Sequence, residues 1–171
     1  EYGARYGFEV DALDTHHHDD SRVSSTRVRE ALIKGDLEAC KNMLGRDYQI
    51  CGRVAHGDKR GRTIGFPTAN IHLHRPSTPL QGVYSVTMHS GTLGAVKGIA
   101  NVGYRPTVEG DHVRIEVHLF DFDQDIYGEN VCIAFHHRIR DEQKFESFDA
   151  LKNQIQLDCQ QAREWHGLTN N

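Results

Sequence analysis

Apolar and polar residues alternate through the middle of the chain, between about residues 48 and 139. The clearest example is 112–120, where successive side chains of an extended segment point to opposite faces. Its apolar face carries Val113, Ile115, Val117 and Leu119. Its polar face carries Arg114, Glu116 and His118. Similar short segments predict strands near 48–55, 66–73, 82–90, 94–101, 113–122 and 130–138, a pattern typical of an antiparallel sandwich or barrel.

Helical periodicity flanks this strand-rich region on both sides. Ser24 or Ser25 can cap a first helix, which we expect to end at Gly35, and Asp36 can cap a second. Ser147 can cap the last helix. Its apolar residues at helical spacing are Phe148, Leu151, Ile155, Ala162 and Trp165. An amphipathic helix of this kind needs a sheet to cover.

Composition narrows the class of protein. The chain has 171 residues, of which 37% are hydrophobic and 26% charged, which predicts one well-packed domain with room for an appendage. A net charge of -4 argues against a broad basic face for nucleic acid. The longest apolar stretches, such as 131–135, are strand-sized, so we expect no membrane helix.

Cysteine and histidine spacing gives no support for a structural metal site. The cysteines lie far apart, without a C-x-x-C pair, at Cys40, Cys51, Cys132 and Cys159. The histidine runs 16–18 and 136–137 do not put ligands on one face. We therefore expect a chain of the reducing cytoplasm, without a zinc ribbon or a thioredoxin-like site.

The densest candidate for chemistry is the segment 56–70. Its glycines, Gly57, Gly61 and Gly65, allow tight turns that bring backbone N–H groups close to an anion. Its cations are Lys59, Arg60 and Arg62. The segment therefore predicts a phosphate-binding loop, although it lacks the Walker A pattern. A solvated basic hairpin tip is the alternative that composition leaves open.

Two further sets of polar side chains follow. Pro67 fixes the chain before Thr68 and Asn70, whose oxygens lie on one side of an extended segment and suit Mg²⁺ shared with substrate phosphates. Glu116 on its polar strand face can act as a general base toward a hydroxyl. The alternatives are local side-chain bonds to the backbone for Thr68 and Asn70, and an exposed sheet glutamate.

The segment 140–145 joins the last strand to the final helix. It offers the guanidinium of Arg140, the carboxylates of Asp141 and Glu142 and the ring of Phe145, against which a planar substrate could lie. A solvated charge run with one buried ring is the alternative.

Taken in order, these motifs resemble riboflavin kinase over about residues 47–166. The segments that carry the resemblance are 57–62, 65–70, 82–84, 101–107, 116–122 and 140–145. Residues 23–29 resemble the end of the FMN adenylyltransferase domain that precedes this kinase in bacterial bifunctional enzymes. The resemblance therefore implies a remnant of that domain over 1–46 and a riboflavin kinase domain over 47–171.

The resemblance implies a mainly β fold, a six-stranded antiparallel Greek-key barrel with a C-terminal helix and an N-terminal α/β remnant. It implies phosphorylation of the riboflavin 5′-hydroxyl by ATP and Mg²⁺, giving FMN and ADP. FAD synthesis is expected of the intact parent and not of this chain, because the H-x-G-H segment and most of the nucleotide-binding sheet are missing here.

Site roles follow by position. The resemblance makes Glu116 the general base and makes Thr68 and Asn70 ligands of Mg²⁺. It places the ATP phosphates against Gly57, Lys59, Gly61, Arg62, Gly65, Pro67, Thr68 and Asn70. It places the flavin beside Arg140, Glu142 and Phe145. A non-enzymatic barrel that binds a ligand or nucleic acid, like an OB-fold, is the alternative, and the acidic net charge counts against it.

Overall fold

The computed structural model of the protein describes residues 2–9, 11, 14–56, 65–73, 77–107 and 110–168. Its helices are α1 (Tyr2–Tyr6), α2 (Ser25–Lys34), α3 (Leu37–Leu44) and α4 (Phe148–Trp165). Its strands are β1 (His17–His18), β2 (Ser21–Arg22), β3 (Tyr48–Ala55), β4 (Ala69–His72), β5 (Gly82–Ser90), β6 (Val96–Thr107), β7 (Gly110–Leu119) and β8 (Asn130–Arg140). Within these ranges, no helix is both long and apolar enough to cross a membrane.

Strands β3 to β8 close into an antiparallel barrel in the order β3-β4-β7-β6-β5-β8. The non-sequential neighbours, β4 beside β7 and β5 beside β8, give the barrel its Greek-key type of connection. The predicted six-stranded barrel with a C-terminal helix is therefore confirmed.

The predicted strand boundaries were wrong at several places. Strand β6 runs on to Thr107 where an end at residue 101 was expected, and β7 begins at Gly110, three residues before its expected start. The strand expected from residue 66 begins at Ala69, because Gly65 takes a left-handed turn with φ 88° and Pro67 has no N–H for a ladder. The strand expected to reach residue 122 ends at Leu119, and Asp121 has φ 53°. The alternating pattern continued past the point where the backbone turns.

The barrel interior is filled by the inward side chains of its strands. The most deeply buried large ones are Ile50, Tyr84, Val86, Met88, Val102, Ile115, Val117, Val131, Ile133 and Phe135. Helices α2 and α3 pack on the same core through Ala31, Leu32, Leu37, Cys40 and Met43. Their ends match the predicted caps: Ser24 accepts from the Arg27 N–H at 3.3 Å, and Gly35 ends α2 with φ 74°.

Helix α4 covers part of the outer surface of the barrel. A second apolar cluster joins Val83, Ile99 and Phe120 of the sheet side to Cys159 and Ala162 of the helix. Ser147 caps the helix as predicted, by accepting from the Ala150 N–H at 3.1 Å. Phe148, which was expected on the apolar face, is exposed at 58% because it lies in the first turn, outside this cluster.

Helix α4 is also held to β8 by a buried ion pair. The Arg140 guanidinium donates from Nε to both oxygens of Asp158 at 2.9 Å and from Nη2 to Oδ2 at 2.7 Å. Asp158 is only 3% exposed and accepts a further bond from Gln154 Nε2 at 2.9 Å. This carboxylate is thus fully paired, and removing it would leave a charged guanidinium without its partner.

Cys51 and Cys132 form a disulfide across β3 and β8, at directly opposed positions of the two strands. Spacing along the chain does not indicate this pair, because the two residues are 81 positions apart and only the strand register brings them together. The two other cysteines, Cys40 and Cys159, are free and buried.

We expect Asp158→Ala to lower the free energy of unfolding by about 3 kcal/mol, because it leaves the Arg140 guanidinium buried beside α4 without its ionic partner. Urea denaturation followed by circular dichroism measures the change. Asp149→Ala, an exposed carboxylate in the first turn of the same helix, is the matched control and should cost less than about 1 kcal/mol. Equal losses in both variants would contradict the structural role given to the pair.

Candidate active site

The polar face of β7 places Glu116 between two asparagines. Strand β7 pairs with β4 on one side and β6 on the other, so that Glu116 is directly opposite both Asn70 and Asn101. Directly opposed residues share one face of a sheet, with Cβ atoms about 5 Å apart. These three side chains, which we call the polar row, lie on the outer surface of the barrel because Val117, the next residue of β7, is buried in the core.

Glu116 is oriented by its own strand. Its Oε1 atom accepts a bond from Arg114 Nη2 at 2.9 Å, and the carboxylate side chain is 27% exposed. Arg114 was predicted to share this face, and it does. A carboxylate held through one oxygen keeps its second oxygen free to meet a substrate.

The polar groups beside Glu116 have unused hydrogen-bonding capacity. Across the described ranges, the side chains of Thr68, Asn70 and Asn101 make no hydrogen bond. The alternative in which Thr68 and Asn70 bind neighbouring backbone groups is therefore not what the structure has. Their hydroxyl and amide oxygens form a donor set that fits a hard divalent ion such as Mg²⁺.

A cleft of about 540 Å³ opens at the barrel mouth next to Thr68. Its apolar wall comes from interior-facing residues of three strands, Val54, Ala69, Val117 and Leu119. Its opposite wall is the loop 122–127, where the Tyr127 ring lies 4.0 Å from the ring of His56. The volume lies in the range of small-molecule sites. No sequence motif pointed to this loop as a wall of the cleft.

His118 fixes the chain just before Thr68. Its Nδ1–H donates to the Pro67 carbonyl at 2.8 Å, and its ring lies edge-on to Phe66 and Phe120, with centroids 5.5 and 5.9 Å away. Burial lowers the pKa of His118, an effect larger than the opposing one of the Pro67 bond. The neutral imidazole thus supports the turn that carries the Thr68 hydroxyl.

The segment 140–145 lies on the same outer surface, beyond β6. The Glu142 carboxylate packs against Gly103, where a Cβ atom would collide with it, and Gln81 Nε2 donates to Glu142 Oε2 at 3.1 Å. Gly103 is opposite Arg114, so Glu142 comes close to the polar row. The Glu142 carboxylate can therefore take this position only because residue 103 of β6 is a glycine, which has no side chain.

The Arg140 guanidinium already has partners within the chain. Its guanidinium is occupied by Asp158 and by the Asp141 carbonyl at 2.8 Å, and it lies 5.6 Å from the Phe145 ring centroid. Arg140 is opposite Val83, and Val83 is opposite Asn101. The row of directly opposed residues that includes the polar row thus continues across β5 to Arg140 on β8, and Phe145 lies beside Arg140.

The structure brings together the predicted residues in two groups on one surface. Asn70 and Glu116 are direct neighbours with Thr68 at the cleft, while Arg140, Glu142 and Phe145 lie toward α4. Four predicted phosphate-binding residues, Gly57, Lys59, Gly61 and Arg62, lie outside the described residues. Within the described ranges, no group of three or more His, Cys, Asp or Glu side chains could hold a metal ion.

Residues 44–166 match the family model Flavokinase, which describes riboflavin kinase. The chain belongs to the riboflavin kinase family. It is 51% identical over 159 residues to the bifunctional riboflavin kinase/FMN adenylyltransferase of Haemophilus influenzae, covering 93% of this chain and 52% of that protein. The chain thus spans about half the length of the curated relatives it matches.

Two solved structures share this fold. The riboflavin kinase of Trypanosoma brucei superposes with a TM-score of 0.50 at 27% identity, covering 68% of this chain and 78% of that one. A protein from Streptococcus pneumoniae described as a macrolide-efflux protein gives a TM-score of 0.80 at 38% identity, covering 96% of this chain and 54% of that one. The barrel and its helix are therefore those of riboflavin kinase structures.

We expect the stability of the protein to fall as the pH drops below about 6.5, and His118 to account for part of the fall. Burial holds the pKa of His118 below its ordinary value of 6.5, so the unfolded chain takes up the proton first. The stabilisation is complete above pH 6.5 and is lost as the pH falls through the lower pKa of the folded state.

The midpoints of urea denaturation between pH 7.5 and 5 measure this dependence. His136 and His166 contribute to it in the same direction, because burial lowers their pKa values as well. His118→Gln should flatten the slope, with His17→Gln on an exposed strand as the matched control. An unchanged slope in His118→Gln would contradict the assignment.

Proposed function

We propose that this chain transfers the terminal phosphoryl group of ATP to the 5′-hydroxyl of riboflavin, giving FMN and ADP. The observation that carries the proposal is the polar row, which lies between the cleft at Thr68 and the Arg140–Phe145 end of the same surface. Membership of the riboflavin kinase family supports it. Phosphoryl transfer asks the protein mainly for positioning and charge stabilisation, which such an arrangement supplies.

The nucleotide occupies the cleft in this proposal. Its base lies between the apolar wall of Val54 and Leu119 and the 122–127 loop, and its phosphates extend toward Thr68. Thr68 and Asn70 would hold Mg²⁺ by their oxygens, and the ion would neutralise phosphate charge when bound. The predicted phosphate contacts of Gly57, Lys59, Gly61 and Arg62 stay a prediction from sequence.

Glu116 acts on the acceptor hydroxyl. Its free carboxylate oxygen takes the proton of the 5′-hydroxyl as that oxygen attacks the γ-phosphorus. One O–P bond forms to the ribityl oxygen, the bond from the γ-phosphorus to the bridging oxygen breaks, and ADP leaves with the bonding electrons. Arg114 keeps the carboxylate turned toward the reacting oxygen through Oε1.

The flavin ring lies against the segment 140–145. Phe145 offers an aromatic face, and Glu142 offers acceptor oxygens beside it. Arg140 supports this wall from behind, because its donors are already engaged by Asp158 and Asp141. ATP is an intracellular substrate, so we place the reaction in the cytoplasm, where the Cys51–Cys132 pair would be largely reduced.

The decisive experiment is an assay for FMN from riboflavin and ATP, with and without Mg²⁺. FMN formation that requires Mg²⁺ is the expected result, and its absence would overturn the proposal. The bifunctional relatives are named for a second reaction as well, the adenylylation of FMN. We propose that this chain alone does not perform it, and incubation with FMN, ATP and Mg²⁺ should yield no FAD.

Glu116→Gln should lower kcat by about 10²- to 10⁴-fold while leaving ATP and riboflavin binding nearly unchanged, because the amide cannot accept the proton. Steady-state kinetics measure kcat and the KM for ATP, and riboflavin fluorescence measures the binding of riboflavin. Glu30→Gln, an exposed glutamate of α2, is the control. Near-normal turnover in Glu116→Gln would remove Glu116 from the mechanism.

Thr68→Ala should weaken the Mg²⁺-dependent binding of ATP by about 10-fold, because it deletes one oxygen that shares the ion. Calorimetric titration of ATP with Mg²⁺ and with EDTA isolates the ion-dependent part. Thr26→Ala, an exposed hydroxyl on α2, controls for the loss of a threonine. A loss of the same size in the presence of EDTA would argue against a metal ligand at Thr68.

A further inference from the structure

Asn101 occupies a defined place between the two halves of the proposed site. The cross-strand line runs from Asn70 through Glu116, Asn101 and Val83 to Arg140, one residue on each of five adjacent strands. Neighbouring strands are about 4.8 Å apart. Asn101 is therefore one strand from the carboxylate and two strands from the residue behind the flavin wall.

The surroundings of Asn101 are unusual for an amide. Its neighbours on the same face, Ile99 along β6 and Val83 across on β5, are 7% and 4% exposed beneath α4. Asn101 is half-buried, and its side chain makes no hydrogen bond to any part of the chain that the structure describes. A half-buried amide beside an apolar cluster gains from a partner supplied by a ligand or by water.

The adjacent polar groups already have partners. Arg114 binds Glu116, and Glu142 accepts from Gln81 while it packs on Gly103. Asn101 is therefore a side chain of this surface with both a donor and an acceptor to offer. A hydroxyl, which also donates and accepts, is the group that such an amide matches.

We infer that Asn101 binds the ribityl chain of riboflavin through the 3′- or 4′-hydroxyl, and so holds the 5′-hydroxyl at Glu116. The inference rests on the proposed kinase function. A riboflavin with its ring at Phe145 and its 5′-oxygen at Glu116 has to carry its polyol chain across β6, where Asn101 lies. In this role Asn101 selects substrates that carry the polyol chain, whereas Glu116 acts as the base and Thr68 and Asn70 act at the phosphates.

The test compares riboflavin with its 3′-deoxy and 4′-deoxy analogues as substrates for the whole chain. Asn101→Ala should lower kcat/KM for riboflavin by about 3- to 10-fold, the value of one neutral hydrogen bond. It should leave kcat/KM unchanged for the analogue that lacks the bonded hydroxyl. Asn101→Ser, which keeps a short hydroxyl, should recover part of the loss.

Asn130→Ala, an exposed asparagine at the start of β8, is the control for removing a strand amide, and urea midpoints show whether each variant folds. Should Asn101→Ala fail to fold, Asn101→Ser carries the same comparison. Equal losses with riboflavin and both analogues, or no loss at all, would overturn the inference while leaving the kinase assignment intact. Absence of FMN formation by the unaltered chain would instead overturn the proposed function, and this inference with it.

Discussion

The candidate site depends on the register of β7 against its two neighbours. In a closed antiparallel barrel, each strand is fixed from both sides, so Glu116 cannot shift relative to Asn70 without shifting relative to Asn101. A slip of one residue would turn Val117 outward and the carboxylate into the apolar core. The packing of the interior therefore holds the polar row in place, and the same hydrophobic contacts that stabilise the fold also position its chemistry.

Local patterns predicted a large part of this arrangement. Alternation along 112–120 was enough to put Arg114, Glu116 and His118 on one face, since the period of a strand alone decides which side chains share a side. The helix caps at Ser24 and Ser147 were readable for a similar reason, because a cap is a contact over three residues. Features of this kind depend on the nearest neighbours in sequence.

Features that depend on distant pairing were out of reach. The contact of Asn101 with the Glu116 position, the disulfide between Cys51 and Cys132 and the capture of Arg140 by Asp158 each follow from strand order or from the docking of α4. Alternation also misled where the chain turns, as at Asp121, whose left-handed backbone ends β7 although the apolar pattern continues to Phe122. A sequence pattern cannot show which charge will find a partner on another element.

The closed sheet has one more consequence, for how this unit joins other proteins. Within the described part of the chain, each barrel strand pairs with a neighbour on both sides, so no strand offers a whole edge onto which a foreign strand could add. Closure therefore favours association with another module through side chains, helices or the connecting chain. Such a unit can be fused to unrelated modules with little risk of edge-to-edge aggregation, which makes it a suitable building block for multifunctional polypeptides.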